Sequence, residues 1–302
     1  MHRVSGDEPV SPDGQALCAR AGALASRIPG SAPLGSSLEG RPIWGVPLGM
    51  AVPAPTPRRA AAPPGSTADP TEPVGGSAAA ARPSSAPPLA PPRVLLVGGV
   101  HGDEPSSTAA LLELVDRLVA PPAAGPPAPA REAVSLWVIP ALNPDGLVRN
   151  RKNNARDVDL NRNFPARSFT RAHAPGYDPG LAPLSEPESR ALAELIDRVP
   201  FAGVVAVHAP FACVNYDGPA RAWASAVSEA CGWPVAESIG YPTPGSLGGW
   251  LGVDSGMPIL TLELPPGTLT TFRAAAAAAL ETAMNAAARL LPGADVLSDD
   301  HR

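Results

Sequence analysis

Short runs of aliphatic and β-branched residues alternate along the chain with longer stretches whose apolar residues recur every three or four positions. The short runs are predicted to form strands at residues 93–100, 133–141, 202–208 and 257–265. Helices are predicted after Pro105 and over about 185–199, 223–231 and 269–291. Alternating strands and helices indicate an α/β fold, a mainly parallel or mixed twisted sheet with helices on both faces.

Local signals predict where two of these helices begin and end. Ser185 and Glu188 have the spacing of a capping box, which would place the helix start at this serine. Gly232 and Pro234 are expected to end the helix over 223–231.

Composition changes sharply between the N-terminal segment and the first long predicted strand. Residues 51–92 hold 12 Pro and 12 Ala and only three larger aliphatic residues, so they are predicted to be a disordered or polyproline-like insertion. Residues 121–130 are a shorter Pro/Ala-rich loop of the same kind. About 260 residues then remain for one core, and we expect a single domain over 1–302.

Charge and hydropathy indicate which partners and which cellular location to expect. The formal net charge is −5 and no basic stripe is visible, so no nucleic-acid partner is expected. No run reaches the roughly 18 apolar residues that span a bilayer, and the first twenty residues lack the apolar core of a signal peptide. A cytoplasmic protein without a membrane partner is therefore predicted. The sequence sets no oligomeric state.

Candidate chemistry lies at the ends of the predicted strands. His101 and Glu104 follow the first long strand, His208 ends the third and Glu263 ends the fourth. Ligands and reactions gather outside the carboxyl ends of parallel strands. Two imidazoles and one carboxylate form a catalytic zinc site with an open position for water, whose pKa zinc lowers toward about 7. Glu263 would be the general base in such a site.

A polar segment at 141–165 supplies positive charge. Asn161 and Arg162 lie in "DLNRNFP" between apolar residues that would fix their direction. The planar guanidinium of arginine suits a carboxylate, so these two residues are candidates for holding a substrate carboxylate.

Together, "HGDE", "NPDG", "DVDLNRNFP", His208 and "TLELP" resemble the zinc carboxypeptidase family, the funnelin-type metallopeptidases. The resemblance extends to residues 34–49. It implies one zinc ion per chain held by His101, Glu104 and His208, with Glu263 as the catalytic carboxylate. It also implies that Asn161 and Arg162 bind the terminal carboxylate of a peptide.

The sequence departs from the family pattern at the residue that stabilises the oxyanion. The family places an arginine upstream of "DLNRNF", and by spacing that position is Lys152, with Arg151 beside it. A lysine is a point charge rather than a planar donor, so the role stays open between these two catalytic candidates. Tyr241 and Tyr216 are the stand-ins for the tyrosine that digestive members carry on a mobile loop.

Segments 208–220 and 240–250 resemble the branch of the family that cuts the γ-D-glutamyl to meso-diaminopimelate bond of murein peptides, which implies a small murein tripeptide as substrate. The far end of diaminopimelate is zwitterionic and needs both a donor and an acceptor. Candidate specificity residues are Asn215, Tyr216, Asp217, Tyr241 and Ser246. Alternatively, Gly245, Gly248 and Gly249 only form a turn, and Asp217 only caps the next helix.

Three other functions are open at this point. An N-acyl amino acid deacylase related to aspartoacylase would share the zinc ligands and an arginine motif. A general metallocarboxypeptidase would share the whole constellation. A non-catalytic ligand-binding pseudo-peptidase is disfavoured, because all zinc ligands and Glu263 are present.

Overall fold

The computed structural model describes residues 12–49, 91–120 and 134–291. Within them, the α-helices are α1 (Pro12–Ala25), α2 (Pro105–Val119), α3 (Pro144–Arg149), α4 (Pro187–Arg198), α5 (Arg221–Cys231) and α6 (Leu269–Leu290), and Gly249–Asp254 is a π-helix. The strands are β1 (Ala32–Ser36), β2 (Pro42–Leu48), β3 (Arg93–Val97), β4 (Ser135–Ile139), β5 (Gly203–His208), β6 (Cys213–Asp217), β7 (Val235–Ala236) and β8 (Ile259–Glu263).

The eight strands form one mixed sheet in the order β1-β2-β4-β3-β5-β8-β6-β7. Its centre is parallel, since β3 pairs in parallel with β4 and β5, and β5 with β8. Antiparallel pairs flank this centre, β2 with β4 on one side and β6 with β8 on the other. The predicted α/β class with a mixed sheet is confirmed.

Helices cover both faces of the sheet. Successive side chains of a strand point to opposite sides, so a strand that is apolar throughout has two faces to bury. In β5, Val205 and Val207 face a core built with α1, α2, α5 and α6. Val204 and Ala206 face the second core, which includes α4 and Phe164. His208 lies two residues beyond Ala206, on the same face of β5, so its side chain is on the α4 side of the sheet.

Strand register brings the chemistry-bearing residues to one edge. His208 pairs directly with Glu263 across β5 and β8, and Glu263 pairs with Cys213 across β8 and β6. The carboxyl ends of β3, β5 and β8 lie side by side, as a parallel sheet requires. This edge is where the sequence placed the candidate site.

The four predicted strands and four predicted helices are present, with shorter strands than the apolar runs suggested. Helices α1 and α3 and strands β1, β2, β6 and β7 were not predicted. Helix α1 has too few large apolar residues to show a helical period. Strand β6 carries polar residues at the positions that line a cavity.

The predicted capping box at the start of α4 is wrong. The helix begins at Pro187 after Glu186, and no side chain caps it. Proline suits the first helical position, so it moves the start two residues beyond Ser185. Glu188 is instead buried and accepts hydrogen bonds from Leu38 N and Asn154 Nδ2. The predicted end of α5 is confirmed, with Gly232 in the left-handed region at φ 78°.

The predicted Pro/Ala loop at 121–130 and residues 51–90 of the predicted insertion lie outside the described residues. The last proline of that insertion, Pro92, is buried and accepts a hydrogen bond from Ser135 N. No helix in the described ranges is both long and apolar enough to span a membrane.

Candidate active site

The loop between β3 and α2 carries the first pair of candidate ligands. Gly99 has φ 58°, a left-handed conformation that favours glycine, and a Cβ there would meet the Thr108 hydroxyl. Gly102 packs so closely on the backbone of Gly146 in α3 that no Cβ fits. These close approaches hold His101 and Glu104 at the carboxyl end of β3.

Glu104 lies between the two imidazoles. Its Oε1 is 2.7 Å from His101 Nδ1, and its Oε2 is 3.0 Å from His208 Nδ1. Ala209 N also donates to Oε2, at 3.2 Å. The ligand atoms of the three residues lie within 4.8 Å of one another, and the rings meet edge to face with centroids 4.8 Å apart. The structure thus brings together the three predicted zinc ligands.

A second carboxylate orients His101 from its other side. Asp159, which is fully buried, has Oδ1 3.2 Å from His101 Nε2. When the imidazole is neutral, a proton on Nε2 satisfies this contact and leaves the Nδ1 lone pair free for a metal. Histidine ligands in metalloproteins commonly donate their remaining N–H to such a carboxylate.

The ionisation of these groups reflects their mutual contacts. Burial lowers the pKa of His101, but Glu104 and Asp159 overcome it and raise that pKa to about 10. Burial raises the pKa of Glu104, but the charges of His101 and His208 lower it to about 2. The pKa of Asp159 is lowered as well, because its contacts with His101 and the charges of Lys152 and Arg162 outweigh burial. The site therefore stabilises a positive charge on His101 between the half-buried Glu104 and the buried Asp159.

The residues present fit a zinc ion. Two imidazole Nδ1 atoms and one carboxylate converge on one place, which is the donor set of a catalytic zinc site with three protein ligands. The contact between Asp159 and His101 supplies the outer partner that such a site uses. Nothing in the donor set calls for a softer or harder metal.

Glu263 stands next to this cluster. It is 4% exposed, and its Oε2 has no hydrogen-bond partner among the described residues. Its pKa is raised by burial, while His208 lowers it and the negative charge of Glu104 raises it. A buried carboxylate with one oxygen that lacks a partner among the described residues, beside the candidate ligands, is placed to exchange a proton with a reacting group.

A cavity of about 180 Å³ opens from His208 and Glu263 along the α4 side of the sheet. It collects five of the predicted substrate residues: Asn161, Asn215, Asp217, Tyr241 and Ser246. The structure does not bring Tyr216 there. In β6, Asn215 and Asp217 face the cavity, and Tyr216 alternates to the other side, where its hydroxyl contacts Glu237 and Arg221.

Asn161 and Arg162 lie in a single 3-10 turn, Leu160–Arg162, which Asp159 caps by accepting from Asn161 N. Asn161 Oδ1 accepts from Leu247 N, which fixes the amide at the cavity wall. Arg162 is buried, and its Nη1 donates to Asn161 O at 2.7 Å. These contacts direct both side chains toward the cavity side of the loop.

Of the two oxyanion candidates, Lys152 contacts Asp159, the carboxylate that faces His101. Its Nζ is 2.7 Å from Asp159 Oδ2, 3.6 Å from the centre of the Tyr177 ring and 3.3 Å from Gly176 O. Arg151 is exposed at the surface of the loop. The lysine is therefore held near the metal site by an ion pair and an aromatic face.

A second cavity of about 380 Å³ adjoins the first, and Tyr241 lines both. Arg162, Tyr177 and three prolines line its walls. Tyr241 is 39% exposed, and its ring lies edge to face with Tyr177 and Phe211, centroids 6.3 Å apart in each pair. Tyr241 thus lies at the mouth of the site. The sequence alone did not fix this position.

Comparison with known families decides the class. The family model described as "zinc carboxypeptidase" matches residues 21–229. The chain belongs to the zinc carboxypeptidase family. It is a zinc-dependent peptide hydrolase of that family, and the matched range includes the candidate ligands His101, Glu104 and His208.

Relatives of this zinc carboxypeptidase include murein peptide amidases and carboxypeptidases. Murein peptide amidase A of Escherichia coli K12 is 36% identical over 184 residues, which cover 57% of this chain and 71% of the relative. The crystal structure of murein-tripeptide amidase MpaA from Escherichia coli O157 matches with a TM-score of 0.60 and 28% identity, covering 89% of this chain and 96% of the other. Carboxypeptidase A of Helicoverpa armigera shares the fold at 18% identity, with a TM-score of 0.65 and coverage of 91% and 73%.

Two residues of this zinc carboxypeptidase site were missed from the sequence. Asp159 stands inside the quoted "DVDLNRNFP" motif, so its position was a signal, but its contact with His101 spans 58 residues and needs the fold. Tyr177, which covers Lys152, lies in an irregular segment without any sequence pattern.

Proposed function

We propose that this protein hydrolyses the γ-D-glutamyl to meso-diaminopimelate bond of small murein peptides. The carrying observation is the arrangement of Glu263 beside the cluster of His101, Glu104 and His208, at the head of a cavity whose far end holds Asp217. The similarity to murein peptide amidase A supports the choice of substrate.

The roles of the residues follow from their positions. His101, Glu104 and His208 would hold zinc, which supplies a Lewis acid that polarises the amide carbonyl and acidifies water. Glu263 accepts a proton from the attacking water and later donates it to the leaving amine of diaminopimelate. Its burial suits this exchange, because a raised pKa lets one carboxyl act as base and then as acid.

In this proposal, residues of the polar segment 141–165 bind the substrate carboxylate and stabilise the oxyanion. Arg162 and Asn161 bind the carboxylate next to the cleaved amide, because these adjacent residues line the two neighbouring cavities, Arg162 the larger and Asn161 the smaller. Lys152 is paired with Asp159, which contacts the candidate ligand His101, so in this proposal it supports the negative charge that develops on the carbonyl oxygen. In this proposal Arg151 has no catalytic role.

The test is release of free diaminopimelate from L-Ala-γ-D-Glu-meso-diaminopimelate by the zinc-loaded protein. We expect turnover with about one bound zinc per chain, as the three-ligand set requires. His208→Ala should lose both zinc and activity. N-acetyl-aspartate and an α-linked peptide with a C-terminal lysine serve as comparison substrates. Preferential cleavage of the first would establish a deacylase, and of the second a general carboxypeptidase.

The cytoplasmic location predicted from the sequence is part of this proposal. In the cytoplasm the enzyme would encounter small peptides released from murein. Fractionation of cells that express the tagged protein checks it. Recovery outside the cytoplasm would leave the proposed chemistry in place but change the source of the peptide.

A further inference from the structure

The only lysine of the chain lies in the candidate active site. Lysine and arginine together number 23 in the sequence, and Lys152 is the one lysine among them. A lysine is a point charge on a flexible aliphatic stem, whereas an arginine carries a planar, pre-organised group of donors. A group that stabilises an oxyanion has to be fixed in place before the charge develops. In that role, Lys152 therefore depends on neighbours that hold its ammonium.

Three groups contact this ammonium. Asp159 Oδ2 is 2.7 Å from Lys152 Nζ, and Gly176 O accepts a hydrogen bond from it at 3.3 Å. The third group is the aromatic ring of Tyr177, whose centre is 3.6 Å from Nζ. Asp159 also contacts His101, and Gly176 contributes only its backbone. Tyr177 is thus the side chain through which the position of Lys152 can be changed without altering a contact of a candidate zinc ligand.

Backbone hydrogen bonds fix the segment that carries Tyr177. The residue is half-buried and lies in an irregular stretch, where its own N donates to Ala174 O at 3.1 Å. The next residue, Asp178, accepts from Asp159 N at 2.8 Å. The aromatic ring and the carboxylate that contact the ammonium therefore belong to two segments joined directly by their backbones. This connection sets where the ring stands relative to Asp159.

A second cation, Arg162, also faces the Tyr177 ring, but it depends on the ring less than Lys152 does. Its Cζ is 5.3 Å from the ring centre, against 3.6 Å for the lysine Nζ. Arg162 is buried, and its Nη1 donates to Asn161 O at 2.7 Å. The Lys152 side chain is 27% exposed. Attraction between a cation and an aromatic face weakens with distance, so loss of the ring would release the lysine first.

We propose that Tyr177 is the positioning residue of Lys152, and that the face of its ring holds the ammonium where it stabilises the oxyanion. The ring carries this role rather than the phenolic hydroxyl, because the contact is made by the ring face. This inference rests on the proposed function, which assigns the developing negative charge to Lys152. It adds the residue on which that assignment depends.

Steady-state kinetics of the zinc-loaded protein on L-Ala-γ-D-Glu-meso-diaminopimelate test this role. Tyr177→Leu should lower kcat by roughly 3- to 30-fold, the range that a cation–π contact corresponds to, with little change in KM. Tyr177→Phe should retain kcat, because it keeps the aromatic face. Leu181→Ala is the matched control, an apolar truncation in the same irregular stretch at a side chain that is 76% exposed, and it should behave like wild type.

A double-mutant cycle shows whether Tyr177 acts through Lys152. Lys152→Met, which removes the ammonium, should lower kcat by about 10² to 10³, the usual loss of an oxyanion donor. Adding Tyr177→Leu should lower kcat no further, because the ring then has no ammonium to hold. Two losses that multiply would overturn the inference. A loss confined to KM would do so as well, since it would assign the ring to Arg162, as would an equal loss in Tyr177→Phe and Tyr177→Leu.

A spectroscopic measurement separates the two proposals. Because the chain has a single lysine, protein labelled with ¹³C-lysine gives one ε-methylene resonance, which the ring current of Tyr177 should move upfield of its position in free lysine. Tyr177→Phe should keep this shift and Tyr177→Leu should lose it. If the tripeptide is not cleaved, the proposed function fails, and this pattern would still support the positioning of Lys152. An unshifted resonance in the wild-type protein, or an unchanged one in Tyr177→Leu, would reject it.

Discussion

Glu263 and the ligand candidate Glu104 are both carboxylates, so their roles are separated by their contacts. Glu104 contacts both imidazoles, whereas Glu263 Oε2 has no partner among the described residues. We therefore expect Glu263→Gln to keep zinc and substrate binding and to lower kcat by at least roughly 10² to 10⁴, the usual contribution of general acid-base catalysis, with little change in KM. Metal analysis and steady-state kinetics measure both effects.

Release of zinc from Glu263→Gln, with activity restored by added zinc, would contradict this assignment. It would make Glu263 a ligand and require Glu104 to exchange roles with it.

Asp159 acts on the site through His101. Because its Oδ1 faces His101 Nε2, Asp159→Asn should weaken zinc binding by about 10- to 100-fold, the usual effect of losing such an outer partner. Competition with a chelator of known affinity measures this loss. Asp157→Asn, an exposed change in the same loop, is the control and should bind zinc like wild type. Unchanged affinity in Asp159→Asn would remove Asp159 from the metal site.

The sequence could indicate which residues are candidate ligands better than it could predict the contacts of each one. His101, Glu104, His208 and Glu263 were predictable because each ends or follows a recognisable strand. Tyr216 was assigned to the cavity with its neighbours, but strand alternation turns it to the opposite face. No local pattern marked β6 as a strand, so the alternation could not be applied.

At the scale of elements, the conformation of the loop between β3 and α2, which carries two candidate zinc ligands, depends on its close packing against α3. A Cβ at Gly102 would overlap the backbone of Gly146, so Gly102→Ala must displace the loop that carries both His101 and Glu104. We expect a loss of about 1–3 kcal/mol in the free energy of unfolding, as for overpacked interiors, together with weaker zinc binding. Denaturant unfolding and metal titration would show this.

Gly22→Ala in α1 is the matched substitution. A Cβ there would lie 3.4 Å from Trp44 Nε1, an ordinary contact, and alanine is the better helix former. It should be neutral or stabilising and should leave zinc binding intact. Equal behaviour of the two variants would mean that the loop can shift without cost.

The arrangement of elements was predictable only in part. Runs of apolar residues indicated β3, β4, β5 and β8 because these strands are buried on both faces. Strand β1 and helix α1 carry weaker patterns, since each is partly exposed. The start of α4 was misplaced because Pro187 overrides the spacing of Ser185 and Glu188.

At the scale of the whole molecule, the predicted division into one domain with a Pro/Ala insertion stays a prediction. We expect deletion of residues 53–90 to leave the melting temperature and turnover nearly unchanged, because this composition offers few core residues and loop length has a small entropic effect. Circular dichroism melts and activity assays check it. Loss of a cooperative melt would show that the segment contributes to the core.

By itself, the sequence determined the α/β class, the ends of the parallel strands and the residues that zinc would need, because burial periodicity and ligand chemistry are both local properties. Only the tertiary structure decided that Asp159 contacts His101, that Lys152 pairs with Asp159, and that Asp217 lines the same cavity as Glu263. Each of these depends on side chains distant in sequence meeting at one sheet edge. Strand register and loop packing fix such meetings, and neither can be read from one segment alone.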